Sequence, residues 1–408
     1  MKKIIFILFI LLIIIGSILI LASCNDNKAF KIGVILIGQK DEMYGYTYEH
    51  MRGINEAINE LNLSTNDLII VDQVSDEDSE IIKSKIDYLI KEGCKLIIGT
   101  SYGYMEEMQI AAENNPDIIF THATGDLDTL AEDKPGNMNN YFGRIYQAWY
   151  LAGIVVGKSI NEQDNVGFIS SFGIQNGECT SAINAFTLGL QTVNGNSKVF
   201  VRVLGSWYDP EKEIEYATKL IENDECEIIV TDTDTTGPAT VAASYGKQSI
   251  GYNSDMSLAI DPNCSNSILT SVIWNWSVYY AQAIKNAISC FSEKYDFVSS
   301  DNWRAFGNYY GDYTTGLYGI APVTSESATD ILEIINLVEN TFNNNEREWK
   351  IFSNIQLHFL KESGKYNVQY IERTLFNVDN VEISNINEND LRQGMNYWLR
   401  GIVDKSTD

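Results

Sequence analysis

Lys31-Ile32-Gly33-Val34-Ile35 and Asn165-Val166-Gly167-Phe168-Ile169 open two series of the same design. Each is a short apolar run with glycine in third place, and each is followed by an amphipathic segment. The first run extends through KIGVILI (31–37), and after it Met51, Ile54, Ile58 and Leu61 recur at helical spacing. LIIVDQV (68–74), an amphipathic stretch through Ile82, Ile86 and Leu89, KLIIGT (95–100), a helical stretch over 104–113 and DIIFTHA (117–123) continue the alternation. The second series runs NVGFISS (165–171), helix 178–192, KVFVRVLG (198–205), helix 211–223, EIIVTD (227–232), helix 238–245 and QSIGYN (248–253). A strand that returns parallel to its neighbour needs a crossover, so this repetition predicts parallel sheets with helices on both faces. The fold class is α/β, with two Rossmann-like lobes.

Beyond the second series, SILTSVIW (267–274) and a helix from about Ser277 to Phe291 return the chain to the first lobe, before it crosses once more into the second. The expected division is 31–144 with about 271–300 in lobe 1, 145–270 with about 301–325 in lobe 2, and an extension over 326–408 packed on the lobes. That extension carries a helical stretch through Ile331, Ile334, Ile335 and Val338, then alternating strands around Phe359 and from Val368 to Leu375.

At the other end, MKKIIFILFILLIIIGSILILASCN (1–25) combines two lysines, an apolar run and Leu21-Ala22-Ser23-Cys24. Small residues before a cysteine are what a lipoprotein signal peptidase requires. Residues 1–23 are read as the signal, Cys24 as the lipidated first residue and 24–30 as a tether, which places the chain on a cell membrane facing the periplasm or exterior. The alternative is a transmembrane anchor, since Ile4 to Ala22 is nearly long enough to span. Formal charge is −26, and losing Lys2 and Lys3 makes the mature chain −26 − 2 = −28 apart from its termini. Such a surface repels nucleic acid and anionic lipid. Apart from Cys24, the cysteines are Cys94, Cys179, Cys226, Cys264 and Cys290, an odd set without zinc spacing, read as small buried apolar residues. No metal and no cofactor is expected.

In open parallel sheets, ligands bind beyond the carboxyl ends of the strands. Those ends are 41–50, 101–105, 122–126, 172–178, 207–209, 232–237, 253–255 and 271–276, rich in aromatic rings and carboxylates and poor in Lys and Arg. Rings stack on planar heterocycles, and carboxylates accept from ring N–H, amine or hydroxyl groups. A phosphorylated ligand is disfavoured, because no P-loop or basic fork follows a strand. The candidate contacts are Asp41, Tyr46, Thr47, Ser101, Tyr102, Asp126, Phe172, Trp207, Asp209, Asp232, Asp255 and Trp276. Each has a plainer role to set against it. Tyr46 and Trp207 suit lobe packing, Asp209 before Pro210 suits a helix cap, and Asp126 and Asp255 suit turns. His50 and His122 are read as hydrogen-bonded structural groups. Trp274 and Trp276 cannot share a pocket if the strand continues through both.

Gly33-Val34-Ile35, Asp41 and Gly45-Tyr46-Thr47-x-x-His50 resemble the "D-x-G-W-T-x-x-H" opening of one branch of the basic membrane protein family, the ABC-transporter substrate-binding lipoproteins similar to PnrA. Ser101-Tyr102-Gly103-Tyr104-Met105, Tyr146-Gln147-Ala148-Trp149-Tyr150-Leu151-Ala152-Gly153, Asn184-Ala185-Phe186-Thr187-Leu188-Gly189, Gly205-Ser206-Trp207-Tyr208-Asp209-Pro210, Gly251-Tyr252-Asn253-Ser254-Asp255-Met256, Leu269-Thr270-Ser271 and the ending Met395 to Val403 match in the same order. The resemblance implies a type I periplasmic-binding-protein fold, two lobes joined by three crossovers, closing over a purine base or nucleoside for delivery to a permease and its ATPase. By the same resemblance the base lies between Tyr46 and Trp207, with Asp126 near the base and Asp255 near the sugar. Two positions depart from the pattern. Tyr46 stands where tryptophan is usual, and Ser271-Val272-Ile273-Trp274-Asn275-Trp276 lacks the lysine of the nucleoside branch, which leaves a bare nucleobase as an alternative to a nucleoside.

A binding protein without turnover is the first reading. A nucleoside hydrolase would want an aspartate cluster with a metal or an activated nucleophile, and neither G-x-S-x-G nor a metal-binding histidine pair is present. A surface adhesin with the same fold, or a binder of a neutral sugar, are the alternatives.

Overall fold

The computed structural model describes residues 30–125, 135–292, 308–325, 327–343, 349–384, 386–387 and 390–407. Cys24 and the signal before it, most of the tether, and Asp126 lie outside the described residues. The first series forms β1 (Lys31–Ile35), α1 (Gly45–Glu60), β2 (Leu68–Val71), α2 (Ser79–Lys91), β3 (Cys94–Gly99), α3 (Met105–Asn114), β4 (Ile119–Ala123) and β5 (Met138–Gly143). The second forms α4 (Tyr146–Ser159), β6 (Asn165–Ser170), α5 (Gly177–Val193), β7 (Val199–Val203), α6 (Pro210–Glu222), β8 (Cys226–Thr231), α7 (Gly237–Ser244), β9 (Gln248–Asn253) and β10 (Ile268–Trp274). After them come α8 (Ser277–Ser292), β11 (Tyr309–Gly311) and β12 (Tyr318–Ile320).

The two sheets share one winding. Strand order is β2-β1-β3-β4-β5 in the first and β7-β6-β8-β9-β10 in the second, all parallel. The winding therefore reverses at β1/β3 in one lobe and at β6/β8 in the other. The chain passes between sheets three times, after β5, after β10 and after β11.

Two boundary expectations need correction. β10 pairs with β9 and antiparallel with β12, so residues 271–274 stay in the second lobe, and the chain crosses only at Asn275 and Trp276. β11 pairs with β5 in the first sheet, whereas the sequence assigned 301–325 to the second lobe. A strand buried on both faces reads as the same apolar run in either sheet, so the sequence does not say which sheet receives it. The extension also contributes more than packing. Its helix α9 (Ala328–Asn343) and hairpin β13 (Ile355–Glu362)/β14 (Lys365–Glu372) lie on the second lobe, and Ile402–Asp404 adds an edge strand beside β7.

Burial follows the pattern of the sequence. α1 turns Met51, Ile54, Ala57 and Ile58 inward, each isoleucine contributing about 1.5–3 kcal/mol by leaving water. α4 is buried on every side from Tyr146 to Gly157, with Trp149 packed against Phe168 and Tyr252. α4 reaches α5 only because both carry glycines at the crossing. A Cβ on Gly153 would stand 2.1 Å from the Phe186 carbonyl oxygen, and one on Gly189 would stand 1.9 Å from that of Tyr150.

Candidate functional site

The carboxyl ends at the two reversal points face one another across the gap between lobes. α1 begins there, and its first N–H groups have no cap from their own lobe: Tyr44 offers no side-chain bond. The opposite lobe supplies it. The Gly45 N–H donates to Ser254 Oγ at 3.1 Å, and the Tyr46 N–H donates to Asp234 Oδ1 at 3.2 Å. A carboxylate at a helix N-terminus satisfies an orphan donor and meets the positive end of the helix dipole. Gly45 has φ +84°, and a Cβ there would lie 3.4 Å from the Asp234 carbonyl, so glycine suits both the turn and the contact. Nearer the hinge, Arg52 donates to the Trp274 carbonyl at 3.0 Å while paired with Glu49 and Glu56.

Tyr46 and His50 are one turn apart on α1 and pack edge-on at 4.3 Å. Trp276 stacks on His50 at 4.5 Å, and Trp274 stacks on Trp276 at 4.3 Å. The strand ends at Trp274, so the alternation of faces stops there and the two indoles lie in one stack. Gly53 brings α1 close enough, since a Cβ on it would meet the Trp276 Cβ at 2.7 Å. Below the stack, His50 Nδ1 meets the Tyr280 hydroxyl at 2.6 Å, and Tyr280 meets Tyr141 at 2.7 Å. His50 Nε2 and Trp276 Nε1 are buried with no hydrogen-bond partner among the described residues. A buried polar atom in that condition costs about 1–3 kcal/mol, so its retention calls for a reason. His122 contrasts with His50. Its Nε2–H donates to the Ser101 carbonyl at 2.7 Å and its Nδ1 accepts from Asn140 at 3.0 Å, while burial lowers its pKa to about 4.

Carboxyl groups line the other wall. Burial, with Asp232 nearby, holds the Glu178 carboxyl up at about 8, while the Tyr252 hydroxyl donates to it at 3.4 Å. Burial raises Asp234 to about 7 against the bonds it accepts from Asn253 and Tyr46. Asn253 takes φ +64°, a conformation asparagine tolerates, and so presents its amide to Asp234. Burial raises the Tyr46 hydroxyl well above its usual range, with Tyr141, Glu178 and Asp234 adding to it, so Tyr46 stays neutral and donates to the Thr100 carbonyl at 2.8 Å.

Of the sequence candidates, Tyr46, Phe172, Trp207, Asp232 and Trp276 gather around this gap. Tyr46 and Trp207 flank Asp234, whose own N–H donates to the Trp207 carbonyl at 3.3 Å. Their rings do not touch; Trp207 sits edge-on to Phe172 at 5.4 Å and is 37% exposed. Asp232 accepts from the Ser171 N–H at 2.6 Å and from Ser170 Oγ at 3.1 Å, bracing the β6/β8 ends. The plainer roles account for the bonds of Asp209, which caps α6 through the Lys212 N–H, and of Asp255, which takes the Ser257 N–H and hydroxyl. Thr47 accepts from the Gly38 N–H, and Ser101 Oγ donates to Asp76. Tyr102 is 56% exposed on the rim, and Asp41 is exposed in a turn. Asp234, Glu178 and Ser254 lie within the strand ends but are not among the candidate contacts, and His50 reads from the sequence as a structural group. Helical spacing from Tyr46 to His50 was the one signal that tied any of them to the gap.

The chain matches the family of PnrA-like ABC transporter substrate-binding proteins over residues 31–293. It belongs to that family. This substrate-binding protein is 29% identical over 303 residues to a purine-binding protein of Brucella abortus, covering 74% of this chain and 78% of the relative. It is 34% identical over 191 residues to a candidate ABC-transporter glucose-binding protein of Haloferax volcanii, covering 47% and 45% of the two chains. Among solved structures, an ABC-transporter solute-binding protein of Conexibacter woesei superposes with a TM-score of 0.59 at 19% identity, covering 78% of this chain and 97% of the other. The two lobes and three crossings are thus the type I periplasmic-binding-protein fold.

Proposed function

We propose that the protein captures a purine base or nucleoside between its lobes and hands it, unaltered, to a membrane permease driven by an ATPase. The observation that carries this reading is the meeting, at both reversal points, of neutral aromatic rings with hydrogen-bonding carboxyl groups in a gap that the lobes close directly. Such a wall stacks a flat heterocycle and accepts its N–H groups while offering an anion nothing to pair with. The purine-binding relative supports the ligand class. Attachment through a lipid on Cys24 would hold the chain at the membrane where the permease sits, and among the described residues no helix is long and apolar enough to cross it. A neutral sugar is the second reading, favoured by the Haloferax volcanii relative and by the same stacking chemistry.

Isothermal titration with adenine, guanine, hypoxanthine, their ribonucleosides and glucose tests the proposal. At least one purine is expected to bind with one-to-one stoichiometry and to be recovered intact. Heat from glucose with flat traces for every purine would establish the second reading instead.

A further inference from the structure

We infer that His50 and Trp276 are a pair of neutral N–H donors that read acceptor atoms on the edge of the ligand, a role that rests on the purine reading above. Both side chains are fully buried, and their rings stack at 4.5 Å and 15°. Around them the polar atoms are used: Tyr279 bonds to Thr121 and Asn139, Tyr141 to Tyr280, and His122 at both nitrogens. His50 Nε2, Trp276 Nε1 and Trp274 Nε1 are the edge atoms of this stack left without a partner among the described residues, and of the two indoles Trp276 is the one stacked on His50.

Proton accounting points to one tautomer. The Tyr141–Tyr280 contact at 2.7 Å can take either hydroxyl as donor, and we take Tyr141, because its other acceptor, the Gly99 carbonyl, stands at 3.5 Å. Tyr280 then spends its own proton on His50 Nδ1 at 2.6 Å, which leaves Nε2 carrying the hydrogen. Burial keeps the imidazole neutral. Trp276 Nε1 is a donor by nature, so two donors lie stacked with no acceptor.

Across the gap the polarity is opposite. The carbonyl oxygens of the Glu178 and Asp234 carboxyls, which accept whether or not the acid holds its proton, and the unpartnered Asn253 Oδ1 offer acceptors. A ligand matching both walls has ring nitrogens on one edge and an amine or ring N–H on the other, the pattern of an aminopurine such as adenine. A neutral imidazole and an indole accommodate it without introducing charge.

The full chain has three histidines, so a 15N-histidine-labelled sample gives a resolvable spectrum. Adding adenine is expected to shift the Nε2 resonance of His50 and to leave that of His122 in place. His50→Asn puts an amide near Nδ1 and removes Nε2, whereas His50→Gln reaches the Nε2 position. The asparagine variant is expected to bind adenine about tenfold more weakly, the worth of one net hydrogen bond, and the glutamine variant to stay closer to wild type. Among 1-, 3- and 7-deazaadenine, one is expected to lose about tenfold against the wild type and nothing further against His50→Asn, a coupling that mere misfolding would not produce. Adenine binding with an unmoved His50 resonance and equal affinity for His50→Asn would overturn this inference and leave the purine reading intact. No purine binding at all would overturn both.

Discussion

Glu178, Asp232 and Asp234 hold their protons to about pH 8, 6 and 7 because burial disfavours their charged forms. An acid whose pKa is higher folded than unfolded binds its proton more tightly in the folded chain. The stabilisation is complete below about pH 4, where unfolded carboxyls are also protonated, and is lost as pH rises through the folded values. Thermal melts from pH 5 to pH 8 are therefore expected to show falling stability, by up to about 1.4 kcal/mol per pH unit for each group that ionises. Glu178→Gln is expected to flatten the upper part of that slope, and a melting temperature that rises over the same range would contradict the assignment. These acids also mark the limit of sequence reading at this scale. Tyr46 and Trp207 could be placed beside the gap from the sequence because both stand at strand ends inside the motifs that carry the resemblance. Asp234 could not, because its partner is the backbone of a helix some 188 residues away in the other lobe. His50 read as structural because one of its nitrogens is structural; the other becomes informative only when every neighbour's bonds are counted.

At the scale of elements, the alternating pattern gave nearly every helix and strand of both series, since amphipathic spacing is a local property. Sheet membership was not local, and the misplacement of 271–274 and of Tyr309–Gly311 follows from that. The α4/α5 crossing was equally hidden. Its glycines look like weak points in helices, where alanine would be preferred by about 1 kcal/mol. Contact decides otherwise: at 1.9 Å from the Tyr150 carbonyl, a Cβ on Gly189 must force the helices apart. Gly189→Ala is expected to destabilise the second lobe by about 1–3 kcal/mol net, read as a lower denaturant midpoint at unchanged slope. A gain in stability would show that helix propensity outweighs the close approach.

For the whole molecule, closure is built into the fold. The N–H groups of Gly45 and Tyr46 at the start of α1 are taken by Ser254 and Asp234 of the facing lobe, so parting the lobes would leave those groups to water. Met43, Tyr102, Ile174, Tyr208 and Leu258 stay exposed beyond the strand ends. The central claim is that the gap between the lobes is where the ligand sits. A crystal structure of the chain grown with adenine tests it most directly: the base is expected between the lobes, beside Tyr46 and Trp207, with a ring nitrogen within hydrogen-bond reach of His50 Nε2. Adenine seated elsewhere, for instance in the cavity of about 530 Å³ lined by Arg144, Trp349 and Phe352, with Asp234 still joined to the Tyr46 N–H, would contradict the account.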